Sequence, residues 1–352
     1  MNAFAPVAGL TVRAADLSDV RDRGRIDDFV HSEASAEVFH RPQWSMAIER
    51  GCRARSHYLL AEDRHGAIAG ILPLSEVRSP FFGSALVSTG FGVGGGIVAQ
   101  EQPAAEALAA SAWQLAQRLD CPSVELRGGQ IPEGWNRREG LYAGFARELP
   151  ADEAAILKSI PRKQRAEVRR AREFKLQTTI GSSATDRDAH YRVYSESVRN
   201  LGTPVFPRAL FKAMLDAFGP DADILTVSKD GTVLASVLSF YFRGTAFPYW
   251  GGGTAAARLW RANDHMYFEL MRHACARGCT RFDFGRSKLG TGAYAFKKNW
   301  GFEPSPLVYS AKGLVRETNP MSPKYRLQVA LWKRLPLWLA NRAGPPVAVG
   351  LG

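Results

Sequence analysis

Two stretches of the chain share one pattern of apolar and polar positions. SHYLLAEDRHGAIAGILPL begins at Ser56, and ADILTVSKDGTVLASVLSF begins at Ala222. Each is an apolar run, a polar break and a second apolar run, with Gly66 in the first break matching Gly231 in the second. This reads as strand, turn, strand in both places. A third apolar run follows each hairpin (GSALVSTG and TAFPYWGG), then a Gly-rich loop. After the loop come a helical period over 104–118 or 262–277 and a strand over 123–127 or 281–285. Helical patterns over 42–50 and 208–218 precede the hairpins, introduced by Val38-Phe39-His40-Arg41 and Val205-Phe206-Pro207-Arg208. Cys121 aligns with Cys279, Glu125 with Asp283 and Gly144-Phe145 with Gly301-Phe302, at an offset of 157 to 158 residues. Recurrence at a fixed offset marks a duplication. The order expected in each copy is β-α-α-β-β-β-α-β-α-β, each unit closed by its own last strand. That order predicts an α/β (α+β) chain of two tandem domains, each a mixed sheet flanked by helices. The expected domains are residues 1–155 and 156–315. The second opens with an Arg-rich junction helix at about 161–175 and is followed by a basic, Trp- and Pro-containing tail over 316–352.

Composition adjusts this picture in three respects. The chain has 352 residues, 45% hydrophobic and 23% charged, which suits two core-forming domains and excludes a disordered chain. Four cysteines form no disulfide framework and are expected as buried thiols in a reducing compartment. The start, MNAFAPVAGL, shows no secretory signal, so a cytoplasmic location is expected. The C-terminal tail, with Leu327, Leu331, Trp332 and Trp338 among Lys and Arg, is expected to dock on the body, with peripheral contact at the inner membrane as the alternative. Residues 79–100 carry no charge, but their glycines favour a buried strand and loop over a membrane span.

Net charge is +12, and residues 158–175 hold eight basic side chains against two acidic ones. Such an excess calls for an anionic partner. On a helical wheel Arg162, Arg165, Arg169 and Arg172 fall within an arc of about 80°, with Ala171 and Phe174 on the other side. Stacked like charges disfavour the helix unless an anion offsets them. Arg162, Lys163, Arg165 and Arg169 are therefore candidates to bind diphosphate, a tRNA backbone or anionic lipid headgroups. The plainer reading is a solvated charged face.

Three signatures carry a family resemblance. The first is Lys163-x-Arg165-x-x-Val168-Arg169-x-Ala171 at the junction. The second is Tyr249-Trp250-Gly251-Gly252 followed by Phe282-Asp283-Phe284-Gly285-Arg286-Ser287. The third is Phe296-Lys297 ahead of Trp300-Gly301-Phe302. With the element order, residues 35–310 resemble the GNAT acyltransferase fold in the tandem form of the Fem (FemAB-like) aminoacyltransferases. The tail motif WKRLPLWLANRAGP resembles the subgroup associated with exosortase and PEP-CTERM systems. The resemblance implies an N-acyltransferase that moves an aminoacyl or acyl group to an amine without a covalent enzyme intermediate. The acceptor expected is an anionic, phosphorylated or lipid-linked precursor of the cell envelope, peptidoglycan or exopolysaccharide. No tightly bound cofactor is expected. The donor is a co-substrate, aminoacyl-tRNA or acyl-CoA, and the chain lacks the long helical-hairpin insertion that some Fem proteins carry. An acetyl-CoA-type N-acetyltransferase and a non-catalytic binder of RNA or anionic polysaccharide are the competing readings.

Amine attack on an acyl group passes through an oxyanion that a fixed cation stabilises. Lys297 is the candidate cation, with Phe296 packing beside it and Lys298 following; the plainer reading is a solvated helix lysine. At the repeat offset, copy one has Glu139-Gly140-Leu141 in that place. Asp283 is a candidate proton acceptor, against the favoured reading of an aspartate anchoring the next turn. Arg286 and Ser287 precede a Gly-rich loop that leads into a helix start, a place suited to an anion. Trp250 and Gly251 are candidates to line the cleft, against the commoner reading of Trp250 as a core residue. Gly90-x-Gly92-x-x-Gly95 has no βαβ context for a dinucleotide. His265, His273, Cys275 and Cys279 fit no zinc spacing.

Overall fold

The computed structural model describes residues 9–316 and 323–352. In chain order, the first part holds β1 (Thr11–Ala14), α1 (Val20–Ser32), α2 (Pro42–Cys52), β2 (Ser56–Glu62), β3 (Ile68–Ser79), β4 (Gly83–Ser88), β5 (Val98–Ala99), α3 (Gln102–Arg118), β6 (Ser123–Arg127), β7 (Asn136–Arg138) and β8 (Tyr142–Glu148). Next come α4 (Glu153–Ser159), α5 (Arg162–Glu173), β9 (Gln177–Gly181), α6 (Ala184–Leu201), α7 (Arg208–Phe218), β10 (Ala222–Lys229), β11 (Thr232–Phe242) and β12 (Thr245–Gly253). The chain continues through α8 (Ala262–Ala276), β13 (Arg281–Lys288), α9 (Gly292–Asn299), β14 (Ser305–Pro306), β15 (Tyr309–Gly313), α10 (Arg326–Trp332) and α11 (Leu337–Leu351).

Both predicted hairpins form. Asp230 and Gly231 have φ of 48° and 76°, the left-handed pair that a two-residue turn between twisted strands requires. In the first hairpin Asp63 ties the turn instead, its carboxylate accepting from the backbone N–H of His65 and Ala67. Each hairpin seeds a mixed sheet. One runs β1-β2-β3-β4-β6-β15-β7, with β5 beside β3; the other runs β14-β8-β13-β12-β11-β10-β9. Among the strand pairs of the described residues, β4–β6 and β12–β13 are parallel and the others antiparallel.

The sheets correct the expected closure of each unit. β8, from copy one, pairs with β13 in the second sheet, and β15, from copy two, pairs with β6 in the first. The compact units are accordingly 1–139 with 308–319 and 346–352, and 140–307 with 320–345, in place of a linear division at 155. Phe145 and Phe302, matched in the repeat alignment, both lie fully buried in the second unit's core. Gly144 is in an extended strand while Gly301 is a turn with φ of 79°. The Gly-Phe pairs are therefore two parts of one core, while the Cys and acidic positions ahead of and within β6 and β13 hold equivalent places.

The first core packs α3 through Ala105, Leu108 and Ala112 onto Leu59, Leu72 and Leu126. The second packs Phe268 and Met271 of α8 with Phe282, Phe284, Trp300 and Phe302. α5 buries Gln164, Val168 and Ala171, positions i, i+4 and i+7 on one face, and lies against α8. Among the described residues no helix is long and apolar enough to cross a membrane.

Candidate active site

The second sheet splits where its two parallel strands meet. β12 and β13 are paired only at Thr245–Arg281 and Ala246–Phe282. Beyond that point Phe247–Gly253 and Asp283–Lys288 part company, and backbone polar groups along the split need other partners. A cavity of about 660 Å³ in this unit is lined by the last residues of β12, Gly252 and Gly253, and by the following Thr254 and Arg258. Asn263 and Tyr267 of α8 sit one turn apart on its wall, joined by Ser197, Asn200 and Leu201 of α6. The first turn of α9 closes it, with Gly292, Ala293 and Phe296. The glycines are needed for clearance: a Cβ on Gly252 would sit 2.3 Å from Ser197 Oγ, and one on Gly253 2.6 Å from Asn263 Oδ1. Thr254 Oγ1 and Asn263 Oδ1 are sealed from solvent without a hydrogen-bond partner. Tyr267 is pushed up to about 12 by burial, so its phenol keeps its proton at neutral pH.

Beside the cavity, β13 carries a bulge. Asp283 is registered with Ala146 and Arg286 with Gly144, so Phe284 and Gly285 together face Phe145. Gly285 takes φ of 64°, which suits glycine. Asp283 holds the bulge: its carboxylate accepts from Gly285 N–H at 2.7 Å. Burial raises the Asp283 carboxyl, offset by that bond and by the charges of Arg281 and Lys297. Phe282 and Phe284 point into the core on the opposite face, as strand alternation requires.

Lys297 is not a solvated helix lysine. Its Nζ donates to the carbonyls of Phe284 at 2.6 Å, Arg286 at 2.9 Å and Gly285 at 3.4 Å, and it lies 5.4 Å from the Phe145 ring centre. The ammonium thus plugs the carbonyls that the bulge turns out of the ladder. Burial drives Lys297 down to about 8, with Asp283 pulling it up and Arg286 pushing it further down. Phe296, next to it, packs on Tyr267 and Trp300 at 5.5 and 6.1 Å and presents its other side to the cavity.

Other sequence candidates fall elsewhere. Trp250 is 4% exposed and packed among Phe206, Phe211, Phe240 and Tyr249, so it is core rather than cleft. Gly251 is spaced by Val237 and the Tyr267 hydroxyl; its two following glycines line the cavity in its stead. Arg286 and Ser287 lie within β13, ahead of the loop. The Arg286 guanidinium stacks 4.7 Å over the Tyr142 ring, and Ser287 is buried. Lys298 is exposed. Of the Arg stripe, Arg165 donates to the carbonyls of Lys158 and Ile160, and Arg172 pairs with Glu153. Arg162, Lys163 and Arg169 are exposed and carry no ion pair among the described residues. Their helix reaches the cavity wall indirectly, Gln164 donating to Asp264, the neighbour of Asn263. Burial raises Asp264 to about 6. His265 contacts Thr178, and His273 contacts Asp223. Among the described residues no group of three His, Cys, Asp or Glu is placed to hold a metal ion.

Sequence reasoning missed Ser197, Asn200, Asn263 and Tyr267. The available signal was Asn263 and Tyr267, hydrogen-bonding groups at i and i+4 on the first α-helix after the Gly251–Gly253 run.

Comparison with known proteins fits this geometry. Residues 159–298 match the family model described as "Acetyltransferase (GNAT) domain". Among solved structures, the crystal structure of FemX superposes with a TM-score of 0.64 at 16% identity, covering 84% of this chain and 96% of that one. A tandem GNAT protein from the clavulanic acid biosynthesis pathway gives 0.55 at 12% identity over 86% and 98%. The C-terminal domain of a putative lysylphosphatidylglycerol synthetase from Agrobacterium fabrum gives 0.55 at 13% identity over 85% and 93%. Among curated proteins none matches the chain. At these identities the structural likeness is one of fold. Residues 159–298 thus form a GNAT acyltransferase domain, and the chain as a whole has a tandem fold similar to those of FemX and the tandem GNAT protein.

Proposed function

We propose that the protein transfers an acyl or aminoacyl group to the amine of a phosphorylated or lipid-linked cell-envelope precursor, in the cavity at the split of the second sheet. The observation that carries this reading is the meeting, in one 660 Å³ space, of a helix start (Gly292, Ala293), a neutral phenol (Tyr267) and the Phe296 that precedes Lys297. Amine nitrogen attacks the donor's carbonyl carbon; the N–C bond forms as the C–O or C–S bond of the donor breaks. The amine releases a proton to water, and the leaving oxygen or sulfur takes one up. Tyr267 and the first N–H groups of α9 donate to the oxyanion, and the Lys297 charge, one residue beyond Phe296, stabilises it through the field. Such stabilisation is worth about 3 kcal/mol of barrier for one well-placed donor. Asp283 serves by holding the bulge that positions Lys297. Arg162, Lys163 and Arg169 take the acceptor's phosphate.

The donor is aminoacyl-tRNA or acyl-CoA. Calorimetric titration with acetyl-CoA, set against filter binding of aminoacyl-tRNA, decides between them. Saturable binding of either one that is lost when the cavity is filled supports the reading; absence of both contradicts it. An inner-membrane or cytoplasmic site of action and a place in an exosortase-linked envelope pathway belong to this same proposal.

A further inference from the structure

The tail docks by one face and leaves another bare. Gly202, with φ of 81°, ends α6 so closely under α10 that a Cβ there would lie 2.6 Å from Val329 Cγ1. Arg199 Nη1 reaches the carbonyls of Lys333 and Leu335, each at 3.4 Å, and Asn341 Nδ2 donates to Ser195 Oγ at 3.3 Å. On the outward side Leu327 is 69% exposed, Leu331 56% and Trp338 69%. Leu327 and Leu331, four apart, share a face of α10. Around them Lys324, Arg326, Lys333, Arg334 and Arg342 are all exposed, and no acidic residue occurs after Glu317.

This surface is attached to the cavity's rim. The same turn of α6 that grips the tail through Arg199 and Gly202 supplies Ser197, Asn200 and Leu201 to the cavity wall, and Leu201 is 67% exposed.

We propose that the outer face of α10 and the start of α11 docks the protein on an anionic lipid bilayer. Exposed leucine and tryptophan surrounded by lysine and arginine is the composition that settles at a headgroup boundary, the apolar side chains below it and the cations against lipid phosphates. A second copy of the chain suits the face poorly, because a two-fold contact would set these cations against their own kind. A nucleic acid would answer the cations and leave the leucines and Trp338 in water. Given the transferase reading, the acceptor is then lipid-anchored and enters the cavity from the bilayer.

The test is flotation of the full chain with vesicles of phosphatidylcholine alone and of equimolar phosphatidylcholine and phosphatidylglycerol, at low and high salt. The wild type is expected on the anionic vesicles only, with release at high salt. Leu327→Glu with Leu331→Glu, and separately Lys333→Glu with Arg334→Glu, are expected to weaken partition by about tenfold or more at an unchanged urea midpoint. No partition of the wild type, equal partition of the variants, or a dimer in light scattering that Leu327→Glu with Leu331→Glu abolishes would each overturn the proposal. The assay holds no acyl donor, so its failure leaves the transferase reading standing. An Ala293→Trp variant that fills the cavity is expected to float like the wild type.

Discussion

The two copies treat the same loop in opposite ways. In the first unit the segment after β4, residues 90–96, is closed by its own side chains. Trp44 Nε1 donates to Gly90 O at 3.1 Å, and Tyr309 Oη donates to Val93 O at 3.0 Å. Arg127 Nη1 donates to Thr89 O and Gly92 O at 3.2 and 3.0 Å, and its Nη2 to Gly352 O at 2.9 Å. His40 contacts Gly96 O at 2.9 Å and is kept neutral, pushed down to about 4 by burial. In the second unit the end of β12 and the residue that follows it are left open: Gly252, Gly253 and Thr254 line a cavity. Each copy also sets a cation on backbone carbonyls beside this segment, Arg127 in the first and Lys297 in the second. Arg127 sits on the loop itself and fills it. Lys297 sits on the neighbouring bulge and leaves the loop free. The filled loop of one copy and the open one of the other thus go with where these two cations sit.

The comparison breaks hardest at Lys297. Lys297→Ala is expected to lower transfer by about 10²-fold or more. It also leaves the three bulge carbonyls bare, at about 2–3 kcal/mol of stability, so urea unfolding and rate must be measured on the same sample. A fully active Lys297→Ala would remove the cation from the mechanism. The two roles separate by pH. Lys297 has a folded value of about 8 against an ordinary 10.5. Below pH 8 the ammonium is protonated in both states and its burial opposes folding in full. Between 8 and 10.5 the unfolded chain holds a proton that the folded chain has released, so wild-type stability relative to Lys297→Met rises with pH. Transfer that needs the cation falls over the same rise through 8. Parallel slopes in rate and stability would contradict this assignment.

Arg127→Met sharpens the other half. Stripping the loop carbonyls of a buried cation is expected to cost about 3 kcal/mol in the first unit. Transfer per folded molecule stays at the wild-type value, checked by normalising kcat to the folded fraction. The smallest effect is expected from Arg162→Glu with Arg169→Glu: a KM for the phosphorylated acceptor higher by about tenfold, steeper at low salt, at unchanged kcat and urea midpoint.

Much of the fold was legible because hairpins, caps and periodic helices are local. The Asp230-Gly231 turn and the strands at 123–127 and 281–285 follow from neighbouring residues alone. The exchange of β8 and β15 between sheets was not legible, since a strand's pattern records that one face is buried and not which sheet buries it. Phe145 and Phe302 looked like a repeat for that reason. At the site, Phe296 and Lys297 stood out by chemistry, while Trp250 stayed open between core and cleft because glycines beside an aromatic read alike in both, and it is core. Asn263 and Tyr267 were passed over because a cavity wall assembled from α6, α8 and α9 has no signature in any one segment.

The most direct test fills that cavity. Ala293 is exposed on the first turn of α9 and lines the space, so Ala293→Trp adds bulk without displacing core. Donor binding and acyl transfer should both drop by about 10²-fold while the urea midpoint holds. Wild-type transfer by Ala293→Trp would place the reaction outside the second unit's cavity and contradict the account.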